Sequence, residues 1–107
     1  MERLVALDVR VGTIVAATLF PESRKPAYKL SIDFGEALGI KHASVQLTEN
    51  YTLASLASKQ VIAIVNVPHK RIKGFKSEVR VLGVEDDIGA LVLVRPDTRV
   101  ANGVKLL

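Results

Sequence analysis

Lys70, Arg71, Lys73, Lys76 and Arg80 crowd into eleven residues of this chain, and the one acid among them is Glu78. Five positive charges against one negative give +4 for residues 61–84, which equals the formal net charge of the whole protein, so all other residues sum to zero. Lysine and arginine carry N–H donors and no acceptor, so such a cluster takes anions, phosphate oxygens above all. Most charge runs are solvated turns. Here, however, the excess is confined to one stretch between apolar runs, which points to a polyanion ligand.

Other candidates for chemistry are weaker. His42 and His69 have no companion ligands nearby in sequence, so both are read as surface or turn residues and no metal is expected. Glu85, Asp86 and Asp87 precede Gly89, where acids commonly bond their own backbone in a turn. Residues 74–77, Gly-Phe-Lys-Ser, lack the earlier glycine and the Gly-Lys-Ser order of a phosphate loop. The chain has no Gly-x-Ser-x-Gly elbow and no cysteine, which excludes thiolate catalysis, disulfides and cysteine-held metals. We expect no catalysis and no cofactor.

The basic stretch needs strands to hold it. Residues 61–65 form a continuous apolar run rich in β-branched side chains, the pattern of a strand covered on both faces. Pro68 cannot donate to a ladder, so that strand ends near Asn66 or Val67, and a second strand is expected to lead through Val84. At 107 residues, 49% hydrophobic and 24% charged, the chain is one globular domain, residues 1–107. Its longest apolar runs are five residues and its start lacks a signal-peptide core, so no membrane insertion is expected and a reducing cytoplasm fits.

In chain order, residues 8–19 read as a first strand, with Gly12 as its bend or bulge. Residues 21–26 are a polar loop. Residues 27–34 then alternate, with Tyr28, Leu30, Ile32 and Phe34 on one face. Ala43, Val45 and Leu47 mark a third strand. Residues 49–58 carry the helical spacing, with Thr48 or Asn50 as N-cap. Residues 90–94 give a last strand, and Asn102-Gly103 predicts a type I′ hairpin returning residues 104–107 against residues 99–101. Tyr28 and Phe34 belong to the core. Phe75 lies inside the basic stretch, where it could stack on a base, touch a peptide or fold back on the sheet, with fold-back favoured. Short strands with one short helix between the third and fourth match the order of an OB-fold, an all-β, five-stranded barrel.

Three stretches, LDVRVGTIV, FPESRKPAYKLSIDFG and VNVPHKRIKGFKSEVRVLG, resemble the tRNA-binding domain family over nearly the whole chain. The third is the most specific, with a strand, Asn-x-x-x-x-Arg and a later glycine and serine in order. Many RNA-binding members carry His-Pro-x-Ala-Asp-x-Leu after the first strand; the matching positions here are Phe20, Pro21, Glu22, Ser23, Arg24, Lys25 and Pro26. Ser77 is followed by Glu78 and Val79 where those members place Gly-Met, which puts this chain on the family's chaperone-like branch. The resemblance implies an OB-fold, a cytoplasmic homodimer, and no catalysis. It implies that N- and C-terminal extensions, through Leu4, Val5, Leu7, Val104, Leu106 and Leu107, make the dimer contacts. It implies RNA binding, to tRNA or another structured RNA, by Asn66, Lys70, Arg71, Lys73, Lys76 and Ser77, each as a contact to backbone phosphate or sugar. It also implies a protein-export chaperone whose partners are unfolded preproteins and the export machinery. The alternative is a purely preprotein-binding chaperone with no physiological RNA ligand.

Overall fold

The computed structural model describes residues 6–107, so the expectations for Leu4 and Val5 lie outside the described residues. Five strands form one antiparallel sheet in the order β3-β2-β1-β4-β7, comprising β1 (Val9–Leu19), β2 (Tyr28–Asp33), β3 (Ile40–Val45), β4 (Gln60–Ile64) and β7 (Arg80–Val81). The sheet curls until its edges nearly meet. Between β3 and β7 there is no ladder; the Glu78 N–H donates to His42 O at 2.7 Å and the Ser44 N–H donates to Ser77 Oγ at 3.2 Å. The result is the nearly closed all-β barrel expected, with one short helix.

Pattern explains most of this. In β2, Tyr28, Leu30 and Ile32 are buried and alternate with half-buried Lys29, Ser31 and Asp33. Every residue of β4 is buried, and β1 and β7 pair with its two edges. Tyr28, Leu30 and Ile32 of β2 and Val61 and Ala63 of β4 meet Ile14, Phe34, Val45 and Leu47 in one core. Helix α1 (Leu53–Leu56) drives the fully buried Leu56 into it. Its N-cap is Thr52, not Thr48 or Asn50: the Thr52 side chain accepts from the Ser55 N–H, and Ser55 Oγ accepts from the Thr52 N–H. Asn50 is spent elsewhere, donating to Asp86 Oδ2 and Leu91 O.

Three expectations are corrected. The irregularity of β1 falls between Ile14 and Ala16, not at Gly12. Gly12 is needed for space instead, because a Cβ there would stand 2.6 Å from Ile32 Cγ2 and 2.8 Å from the Phe34 ring. The strand after the basic stretch is broken: β7 leaves the barrel at Leu82, and β8 (Gly83–Glu85) pairs with β9 (Leu91–Leu93) in a separate ribbon. Finally, Asn102-Gly103 is no type I′ turn. Gly103 has φ +89° and Asn102 is not left-handed; Asn102 Oδ1 instead accepts from Thr13 Oγ1 at 2.6 Å. The tail therefore runs along β1, where the Gly103 N–H donates to Val11 O, the Val11 N–H to Val104 O, and the Leu106 N–H to Val9 O.

Candidate nucleic-acid interface

The basic stretch is not a loop but a β-hairpin, β5 (Lys70–Ile72) and β6 (Phe75–Ser77). Lys73 (φ 50°) and Gly74 (φ 83°) both adopt the left-handed conformation, as a two-residue turn of matching twist requires. Register places Ile72 across from Phe75, Arg71 across from Lys76, and Lys70 across from Ser77. Because strand side chains alternate, Lys70, Ile72, Phe75 and Ser77 share one face while Arg71 and Lys76 share the other. Lys73 sits at the tip. The basic cluster is thus a ribbon with cations on both faces.

Aromatic contacts pin the ribbon to the barrel. Phe75 meets the buried Phe20 edge-on, ring centroids 5.4 Å apart, and Lys29 Nζ lies 5.3 Å and 5.7 Å from the two centroids. Phe75 has folded back. At the root, Glu78 Oε1 accepts the His42 N–H at 3.0 Å and lies 3.0 Å from His42 Nδ1. Partial burial works to raise the Glu78 carboxyl, and the hydrogen bonds from His42 outweigh it together with the nearby Lys41 and His42 charges. The group is held below the ordinary carboxylate value.

The face bearing Lys70, Ile72 and Ser77 looks into a groove of about 870 Å³. Lys25 and Pro26 of the first loop line it with Ser44 of β3, Gln46 just beyond β3, and Arg80 and Val81 of β7, and Glu49 and Glu85 are the carboxylates along it. The groove thus joins Lys70 to Lys25 and Arg80, two cations that sequence reasoning left off its list of binding residues. Their signal was topological, because in an OB-fold barrel the loop after the first strand and the loop before the last rim the binding face.

The six expected binding residues are not equivalent. Lys70, Arg71, Lys73 and Lys76 are exposed. Ser77 Oγ holds β3 through the Ser44 N–H. Asn66 accepts the Asp8 N–H and donates to Ala6 O, both at 2.8 Å, so its amide ties down the entry to β1 and keeps one N–H for a ligand. His69 is exposed beside Lys70. Asp86 makes the turn expected of the acidic trio, accepting the Ile88 and Ala90 N–H groups.

This ribbon and groove stand on a chain whose residues 9–105 match the family model for the tRNA binding domain. The chain belongs to the tRNA-binding domain family. Among solved structures, this family member is similar to the chaperone CsaA of Bacillus anthracis str. Ames, at 46% identity and TM-score 0.88, covering 94% of this chain and 91% of that one. The CsaA chaperone protein of Picrophilus torridus is similar at 44% identity and TM-score 0.89, covering 94% and 92%. A curated relative, the methionine–tRNA ligase of Porphyromonas gingivalis (strain ATCC 33277), is 34% identical over 102 residues, which are 95% of this chain and 15% of the ligase. The tRNA-binding domain therefore spans a small part of that ligase's length, and the match lies in this domain alone.

Proposed function

We propose that this protein is a non-catalytic, CsaA-like RNA-binding module that grips the backbone of tRNA or another structured RNA with the 70–77 hairpin, and that it serves as a cytoplasmic protein-export chaperone. The observation that carries the RNA reading is the state of the hairpin's cations: of the two ion pairs among the described residues, Asp8–Arg10 and Glu78–His42, neither involves Lys70, Arg71, Lys73 or Lys76. Their charge is uncompensated and presented to solvent. Asn66, just before the ribbon, and Ser77, at its root, contribute through sugar or phosphate contacts.

Salt titration of tRNA binding tests this. Neutralising all four cations should lower the slope of log K against log salt by about 3 units, at roughly 0.7 to 0.9 per phosphate contact. Changing Arg95, Arg99 and Lys105 together is the control. Equal losses for both sets would replace a localised site with a diffuse positive surface.

A second reading is favoured by the groove, whose walls include Val67, Pro68, Ile72 and Leu91, and by the likeness to CsaA chaperones. In it, unfolded preproteins bind there, the export machinery is the downstream partner, and RNA is not a physiological ligand. Absence of tRNA binding by the parent at low salt, with suppressed aggregation of a test protein, would select it. Either reading accommodates a homodimer formed through the exposed apolar tail.

A further inference from the structure

Glu78 is the single acid in the cationic stretch, yet it makes no ion pair with the cations of that stretch. Three contacts tie it to His42 instead: its Oε1 accepts the His42 N–H and faces Nδ1, each at 3.0 Å, and its own N–H donates to His42 O at 2.7 Å. They lie at the barrel's open seam, at the root of a two-stranded ribbon. Such a ribbon is marginal by itself, so its direction is set where it is fastened. Ser77 extends the fastening to Ser44, and the Phe75 ring lies 6.4 Å from the His42 ring.

The geometry points to His42 and Glu78 as positioning residues, a clasp that aims the cationic hairpin at its anionic ligand and tightens when the imidazole gains a proton. The inference rests on the RNA reading above. Histidine is the side chain whose charge changes between about pH 5 and 8. A neutral ring reaches Glu78 only in the tautomer with its proton on Nδ1, whereas an imidazolium makes a charge-assisted bond in either case. The charged groups around the ring are Glu78 of the connector, Lys41 on its own strand, and Lys29 and Asp33 of β2, which flank Ser31, the residue opposite His42. Lys29 is drawn over Phe20 and Phe75, and Asp33 Oδ1 accepts the Gly35 N–H, leaving Glu78 as the carboxylate paired with the ring.

Charge alone and the clasp predict opposite signs. Removing an acid from a cationic surface should tighten binding to a polyanion, whereas unfastening the hairpin should weaken it. The experiment measures tRNA affinity at about pH 5.5 and pH 8 and fixed ionic strength, with amide hydrogen exchange of the free protein, for the parent, Glu78→Ala, Glu78→Gln, His42→Gln and His69→Gln. Glu78→Ala should bind about tenfold more weakly, the order expected for losing hydrogen bonds to a charged group, and its hairpin amides should exchange faster. Glu78→Gln still offers an oxygen to the His42 N–H, so its affinity at the higher pH should return close to the parent's. It should lose the gain on acidification, as should His42→Gln. His69→Gln should keep that gain.

Tighter or equal binding by Glu78→Ala would overturn the clasp. So would an acid-side gain that survives Glu78→Gln, which would mean that His42 touches phosphate directly. Should the parent bind no tRNA, the RNA reading fails and hairpin exchange decides alone, unchanged rates in Glu78→Ala refuting the clasp.

Discussion

Arg71 stands directly across the β5–β6 ladder from Lys76, two like charges paired on one face of a three-residue ribbon. Opposed cations destabilise a strand pair by a few tenths of a kcal/mol up to about 1 kcal/mol. Nothing in the fold requires them, and Arg71 reaches no more than its own turn, donating to Gly74 O at 3.4 Å. Neutralising the pair as Arg71→Gln with Lys76→Gln should therefore leave thermal stability unchanged or slightly raised, while the salt slope of tRNA binding falls by about 1.5 units. A lower melting temperature with unchanged RNA binding would show the pair to be structural.

A second prediction concerns the wall of the core. Gly12 has ordinary backbone geometry, so its requirement is steric: a Cβ would be forced against Ile32 and Phe34, both buried. Gly12→Val should destabilise the barrel by about 1 to 3 kcal/mol, the range for overpacking a filled core. Gly12→Ala should fall between parent and valine. Urea unfolding checks this, and identical midpoints for all three would mean that the neighbours move aside freely.

What was legible in the sequence follows how far each cause reaches along the chain. The alternation of Tyr28, Leu30 and Ile32 is local, and so is the apolar run of β4; both strands could be read with their faces. The hairpin's strands have little sequence signature, because three-residue strands rich in lysine carry no strand propensity; their one local signal is Ile72 and Phe75 flanking Lys73-Gly74. The clasp joins residues 36 apart, and the groove joins Lys25 to Lys70, so neither has any sequence signature. Asn102 misled for a related reason: its side chain is held by Thr13, 89 residues away, and that bond overrides the turn preference of Asn-Gly.

The carboxylates set the response to acid. Asp86 is held below its ordinary value by the Asn50 side-chain hydrogen bond first, then by the Ala90 and Ile88 N–H groups, against a smaller opposing effect of burial. Asp8 is lowered chiefly by its bond from Arg10, and Glu78 is lowered as described. A group whose folded pKa lies below its unfolded value stabilises the fold above the unfolded value, near pH 4, and loses that contribution as pH falls through the folded one. The carboxylates' contribution to stability should accordingly be constant above about pH 5 and fall below about pH 4. Asp86→Asn removes one titrating group, so its urea midpoint should decline less steeply there. Parallel declines for parent and variant would show that Asp86 is not among the groups responsible.

Assembly gives the last prediction. The tail presents Leu106 at 52% and Leu107 at full exposure, beside Val104 at 43%, and Leu7 at 62% is exposed on the segment that enters the same strand. Deleting the residues after Asn102 would also strip three backbone hydrogen bonds from β1, so loss of a dimer in that variant would not separate contact from folding. Leu106→Ser with Leu107→Ser keeps the backbone pairing and removes the apolar surface. If the tail is the dimer contact, sedimentation equilibrium should show the parent as a dimer and the double variant shifted toward monomer, with far-ultraviolet circular dichroism unchanged. A parent that is monomeric, or a variant that stays dimeric, would move the interface off the tail.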